Sequence, residues 1–280
     1  MTGRTLNKNS EFYGLILTGG KSVRMKTDKA ALEIGGQSQA RRGFDLLKRH
    51  CSKAFVSTTH EASQFPYQKD LPQIHDHPVY KGIGPLAGIL SAMEEYPDVP
   101  WIILACDLPA VNDKTLEQLI KNRDKFQNAT AYTSATDGLP EPLCAIYEPR
   151  YIDKLMESVR AGIHCPRKIM INSHVKLIDQ ADTNWLQNIN TPEDYQNFQK
   201  RRLIYVQYYA ALREQRGLSR ETVETQAVTA QELYQELKRK HGFTLSLDLL
   251  RVSVNNEFCP WGTPLKAGDT LIFIPPVAGG

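Results

Sequence analysis

Four short runs rich in apolar and β-branched residues, FYGLIL (12–17), AFVSTT (54–59), WIILAC (101–106) and PLCAIY (142–147), are separated by one helix-like stretch each. Those stretches are SQARRGFDLLKRH, PLAGILSAMEEY and NDKTLEQLIKNRD. The last predicts a helix with Asn112 as its N-cap and Leu116, Leu119 and Ile120 at helical spacing. Parallel neighbours need a crossover between them, and the crossover is usually a helix. The alternation therefore predicts an α/β fold: a doubly wound, mostly parallel sheet covered on both faces. Sheets of this kind bind ligands at the carboxyl ends of their strands.

Near residue 200 the pattern changes. TPEDYQNFQKRR predicts a final helix with Thr191 as its cap, Pro192 in the first turn, and two acids where the helix dipole favours them. RLIYVQYYA then begins a strand, and TAQELYQELKRKHG reads as a helix opened by a capping box of Thr229 and Glu232. LLRVSVNNEF and DTLIFI supply two more strands, with Leu271–Ile274 as a buried run. The expected division is a first domain over 1–200 and a small α+β domain over 203–280.

Bulk composition narrows the classes. With 41% hydrophobic and 23% charged residues among 280, the balance is that of an ordinary soluble protein. A net charge of +3 gives no reason to expect a nucleic-acid partner. The longest strongly apolar run, WIILAC, is far shorter than the roughly 20 residues that span a bilayer. MTGRTLNKNSEFYG lacks the apolar core of a signal peptide. Cys51, Cys106, Cys144, Cys165 and Cys259 stand singly, as reduced thiols would in a cytoplasmic protein.

Chemistry concentrates at two strand exits. LILTGGKSVRMKTDKA (15–30) follows a strand with two glycines and then Lys21, Arg24, Lys26 and Lys29. Glycines there let backbone N–H groups turn toward an anion that the cations neutralise. The same residues also read as a tight turn before a solvated basic helix. In WIILACDLP an apolar strand ends in Asp107, which suits Mg²⁺ because that ion takes one or two carboxylates plus phosphate oxygens. A capping Asp is the alternative for that position alone. Taken with the glycine-basic loop, the metal reading is favoured.

LTGGKSVRM with DKA, then GPLAGI, ACDLP and NINTPED, resemble in order and spacing the molybdenum cofactor guanylyltransferases over residues 12 to 199. The resemblance implies a Rossmann-like NTP-transferase fold. It also implies transfer of GMP from GTP to the terminal phosphate of molybdopterin, with pyrophosphate released. Leu17, Thr18, Gly19 and Gly20 would hold the nucleotide, Lys29 would contact nucleotide or phosphate, and Arg24 would steady the triphosphate. Asp76 matches the acidic position ahead of GPLAG, Asp107 the Mg²⁺ ligand, and Asn190 the late asparagine motif. Lys21 would add charge neutralisation.

Two positions depart from the family pattern. Ser57 stands where members often carry an Asn that contacts the nucleotide, and GGQSQARR lacks the usual Lys-Pro. Gly19, where related cytidylyltransferases tend to have Ala, favours GTP over CTP. His75-Asp76-His77 is not expected to gather a metal, since alternate strand residues face opposite ways. YVQYYA is read as core, with alternation burying every second ring.

The chain ends in LIFIPPVAGG. Residues 203–280, with strands and a helix in β-grasp-like order and PPVAGG last, resemble the small subunit of molybdopterin synthase, a ubiquitin-like sulfur carrier. The resemblance implies that the Gly280 carboxylate is adenylated by an E1-like enzyme and becomes a thiocarboxylate. That group then serves the synthase large subunit. Side-chain-free Gly279 and Gly280 suit a terminus that threads a narrow channel, and Pro275 and Pro276 stop the strand before it. The alternatives are a cytidylyl or other nucleotidyltransferase, or an inactive first domain serving as scaffold to the carrier.

Overall fold

The computed structural model describes residues 11–18, 29–34, 36–189 and 191–276. Two compact units meet between Pro192 and Glu193.

The first unit is built on a seven-stranded sheet. Its elements run β1 (Tyr13–Leu17), a two-residue ladder of β2 (Glu33–Ile34) with β3 (Gln37–Ser38), α1 (Gln39–His50), β4 (Lys53–Thr58), β5 (Gln73–His75) and α2 (Pro85–Glu95). There follow β6 (Trp101–Ala105), α3 (Asp113–Lys121), β7 (Ala129–Thr133), β8 (Pro140–Tyr147), α4 (Tyr151–Arg160), α5 (Pro166–Ile171) and β9 (Val175–Ile178). The spatial order is β5-β4-β1-β6-β8-β7-β9. Every pairing in it is parallel except the two made by β8, which runs against β6 and β7. The expected mostly parallel α/β sheet is present.

Burial explains why the strands read as continuous apolar runs. Along β1 and β6, Ile16, Ile102 and Leu104 join one core, with Phe44 and Leu47 of α1 and Leu116 and Leu119 of α3. Leu15, Leu17, Trp101 and Ile103 join the other, with Leu86, Ile89 and Leu90 of α2 and Leu155 of α4. Alternate side chains point to opposite faces, and both faces are covered, so the strands are apolar on both sides rather than on every second residue. Asn112 caps α3 as expected, accepting from the N–H groups of Lys114 and Thr115, and the Thr115 hydroxyl closes a capping box. Among the described residues the cysteines form no disulfide.

The helix over TPEDYQNFQKRR is α6 (Pro192–Gln199), with Glu193 and Asp194 in its first turn. The second unit continues with β10 (Arg202–Tyr208), α7 (Ala210–Arg216), β11 (Arg220–Thr225), α8 (Ala230–His241), β12 (Arg251–Val254), β13 (Glu257–Cys259) and β14 (Thr270–Ile274). Its five strands lie in the order β11-β10-β14-β12-β13, with the first and last strands as parallel neighbours. That order, with α8 packed on one face, is the ubiquitin-like α+β arrangement. Leu233, Tyr234 and Leu237 of α8 are buried with Ile204, Val206, Tyr208, Val252, Leu271 and Phe273.

Several local expectations change in this unit. LLRVSVNNEF forms two strands, because Asn255 and Asn256 both adopt positive φ (52° and 70°) and turn the chain in a two-residue hairpin. β11 (Arg220–Thr225), which carries Arg220, Glu221 and Glu224 and a single aliphatic residue, Val223, had no apolar run to announce it. Thr229 caps α8 by accepting from Glu232 N–H, yet the Glu232 carboxylate bonds Val228 N–H, one residue before the cap. The box is therefore half formed. Of the tyrosines in YVQYYA only Tyr208 is core, while Tyr205 and Tyr209 stay half exposed. In β14 (Thr270–Ile274), Leu271 and Phe273 are fully buried and Ile272 and Ile274 only partly. The strand ends at Ile274, directly before Pro275 and Pro276.

Candidate active site

The carboxyl ends of four adjacent strands form one row. Ile74 pairs with Ser57, Ser57 with Leu17, and Leu17 with Ala105. Asp76 and Asp107 each lie two residues beyond this row, on opposite sides of β1. The two carboxylates thus flank the carboxyl end of β1 at Leu17 and Thr18.

On the Asp107 side, Lys29 Nζ lies 3.0 Å from Asp107 Oδ2. Lys29 sits in a short 3₁₀ turn (Lys29–Ala31) that follows the glycine-basic segment. The backbone of the strand mouth is fixed on both sides: Cys106 N–H donates to Leu17 O at 3.1 Å, and Ile189 N–H donates to Asp107 O at 3.0 Å. The second bond brings Ile189 to Asp107. Among the described residues no group of three His, Cys, Asp or Glu side chains gathers as a metal cage. A single half-shielded carboxylate fits Mg²⁺ shared with substrate phosphates, since that ion commonly takes one or two protein carboxylates.

On the Asp76 side a cleft of 560 Å³ is lined by Leu17, Ser57, His60, Asp76, Tyr80 and Gly88, among others. Ser57 Oγ donates to Asp76 Oδ1 at 2.9 Å. Burial raises the Asp76 pKa above the usual carboxylate value, opposed by the Ser57 hydrogen bond and the neighbouring His75. The N-terminus of α2, from the GPLAG motif, closes one wall of the cleft. His75 belongs to β5, whereas Asp76 and His77 follow it, and the His75 ring stacks on His60 at 4.4 Å.

The sequence-derived residues therefore separate into groups. Leu17, Thr18, Ser57 and Asp76 come together on one side of the turn, and Lys29 pairs with Asp107 on the other. Gly19, Gly20, Lys21, Arg24, Asn190, Gly279 and Gly280 lie outside the described residues. Sequence reasoning missed Gln68. Its fully buried amide donates to Thr58 Oγ1 at 2.8 Å and Ala62 O at 2.6 Å, and its Oε1 stands 3.1 Å from Thr18 Oγ1. It ties Thr18 to the end of β4 and to the β4–β5 loop. Nothing in SQFPYQKD distinguishes Gln68 from Gln64 or signals that role.

Residues 14–176 match the model of the MobA-like NTP transferase domain. The chain belongs to that family of nucleotidyltransferases. Residues 206–280 match the ThiS family model. A molybdenum cofactor biosynthesis bifunctional protein of Synechocystis is 37% identical over 193 residues. That match covers 69% of this chain and 55% of the relative, so the chain spans about half of that protein's length. A probable molybdenum cofactor guanylyltransferase of Bacillus cereus is 30% identical over 197 residues, covering 68% of this chain and 97% of the relative. Among solved structures, molybdopterin-guanine dinucleotide biosynthesis protein A of Archaeoglobus fulgidus shares the fold of the first unit. Its TM-score is 0.56 at 23% identity, covering 66% of this chain and 95% of that one.

Proposed function

We propose that the first unit transfers GMP from GTP to the terminal phosphate of molybdenum-bound molybdopterin. The observation that carries the reading is the pair of carboxylates on either side of the Leu17–Thr18 turn, one facing a cleft and one paired with a lysine. The family match and the guanylyltransferase names of the relatives support it. In this reading the guanine enters the cleft, where the Asp76 carboxylate accepts from the base N–H groups. The triphosphate runs across the turn toward Asp107.

An acceptor phosphate oxygen attacks the α-phosphorus in line as the bond to the β-phosphate oxygen breaks, and pyrophosphate leaves. Both reactants are anions, so the chain's task is alignment and charge neutralisation. Lys29 moves from Asp107 to phosphate as the nucleotide arrives, and Arg24 and Lys21 add positive charge. Mg²⁺ held by Asp107 would neutralise phosphate charge as a Lewis acid. Gly19, Gly20 and Asn190 complete the nucleotide site in this reading.

The second unit is proposed to carry sulfur as a thiocarboxylate on Gly280, loaded after adenylation by an E1-like enzyme and delivered with the synthase large subunit. The ThiS family match and the ubiquitin-like sheet support this. We place the protein in the cytoplasm, where singly spaced cysteines stay reduced. No helix among the described residues is long and apolar enough to cross a membrane. Titration with GTP and with CTP in Mg²⁺, followed by turnover with molybdenum-molybdopterin, tests the first activity. Preference for CTP, or the absence of GMP transfer, would replace it with another nucleotidyl transfer.

A further inference from the structure

We infer that Ser57 and Gly88 form a positioning pair that orients the Asp76 carboxylate, so that position 57 acts on the nucleotide only through Asp76. This rests on the reading above, in which Asp76 meets the guanine.

Ser57 is 4% exposed at the end of β4, facing the first turns of α2. A serine hydroxyl has one proton to give. Here it is given to Asp76 Oδ1, at 2.9 Å. The Asp76 backbone is held as well, since its N–H donates to Thr58 O at 2.9 Å. With its main chain and one carboxylate oxygen both tied, the side chain has little freedom to rotate. An asparagine at 57 would bring an amide with two donors and its own capacity to bind a nucleotide. The serine here spends its donor within the protein.

Gly88 makes the room for this bond. A Cβ at 88 would stand 2.0 Å from Ser57 Oγ and 2.8 Å from Ser57 Cβ, so any side chain there would expel the hydroxyl from its place. Helix α2 and strand β4 approach this closely because the residue between them has no side chain. The glycine and the serine are thus two halves of one contact, and Asp76 is what the contact holds.

The consequence is nucleotide choice. Guanine presents two adjacent N–H donors, which a carboxylate accepts together only when its plane is aligned with the base. Cytosine presents one amino donor beside an acceptor and is less sensitive to that alignment.

The test uses full-length protein and compares wild type with S57A, G88A, D76N and S57A/D76N, each checked for folding by thermal melting. Calorimetry with GTP and CTP in Mg²⁺ gives affinities, and steady-state GMP transfer gives kcat and KM. S57A should weaken GTP about tenfold through KM, the scale of losing a hydrogen bond to a charged group, with kcat and CTP affinity little changed. In the D76N background S57A should add no more than about twofold, because the two act as one unit. Folded G88A should reproduce the S57A loss. Additive losses in the double variant would overturn the inference, since Ser57 would then touch the nucleotide itself. So would unchanged GTP affinity in S57A or in folded G88A while D76N is weakened. If D76N binds GTP as well as wild type, the base contact itself is wrong, and that outcome separates the failure of the underlying reading from the failure of the pair.

Discussion

Lys29 Nζ and Asp107 Oδ2, 78 positions apart in the chain, meet at 3.0 Å at the carboxyl edge of the sheet. Each is partly shielded from solvent, with side-chain exposures of 16% and 23%. In the proposed transfer the pair would supply a cation to the triphosphate and a carboxylate to its metal. An arriving phosphate can take the lysine while the carboxylate takes the metal.

Removing the carboxylate should therefore stop chemistry without unfolding the protein. Asp107→Ala is expected to lower kcat for GMP transfer by about a hundredfold or more, the scale of a lost metal-ion contribution. Its side chain packs no core, so the thermal midpoint should stay near wild type. Near-normal turnover with GTP and molybdopterin in that variant would remove Asp107 from the metal site.

Base selectivity gives a second expectation. GTP should bind more tightly than CTP, because the cleft offers the Asp76 carboxylate to a guanine edge and Gly19 leaves the turn without a methyl group. Calorimetry in Mg²⁺ measures both. Equal affinities would leave only a nucleotidyltransferase of unassigned base.

The same carboxylate predicts a pH dependence. Burial raises the Asp76 pKa, and only the ionised form accepts two donors from guanine. GTP affinity should be full above that raised value and fall as pH drops through it, earlier than an ordinary aspartate would allow. His60, Glu61, His75, His77 and Lys81 also stand around the cleft or the carboxylate, so the comparison is with Asp76→Asn, which should flatten this acid limb. An identical profile in both proteins would assign the limb to another group.

A stability effect is expected at the start of α3. Asn112 satisfies two N–H groups at the start of α3, and its loss leaves them without that acceptor. Asn112→Ala should cost about 1 kcal/mol in urea unfolding of the first unit. A change below a few tenths would show that solvent replaces the cap.

The two activities should separate at the tail. Deleting Gly280, or replacing it with a bulky residue, should stop adenylation and sulfur loading while GMP transfer continues. Intact-mass spectrometry after incubation with the activating enzyme, ATP and a sulfur donor should show a gain of about 16 mass units in the wild-type chain as oxygen becomes sulfur. A full-length chain that never gains this mass would reduce Gly279-Gly280 to an ordinary terminus.

The amino-acid sequence by itself determined the elements whose signal is local. Apolar runs with helices between them announced the covered parallel sheet, and Asn112 announced its helix, because burial periodicity and capping act over a few residues. The motifs likewise carried the family, and they singled out Asp76 and Asp107 as the carboxylates on which the proposed function rests. Charged β11 (Arg220–Thr225) and the Asn255–Asn256 hairpin were illegible for the opposite reason: one strand is half solvent-facing, and the other run differs from a single strand only in the φ of two residues. Tertiary structure alone decided how the site is wired. Registry across β5, β4, β1 and β6 set the two carboxylates on opposite sides of one turn, and folding over 78 positions paired Lys29 with Asp107. Ser57 reads in the chain as a weaker nucleotide contact, yet its hydroxyl points to Asp76, and Gly88 of α2, 31 positions on in the chain, leaves the room for it. Hydrogen-bond partners and close approaches are properties of distance in space, and no spacing along the chain encodes them.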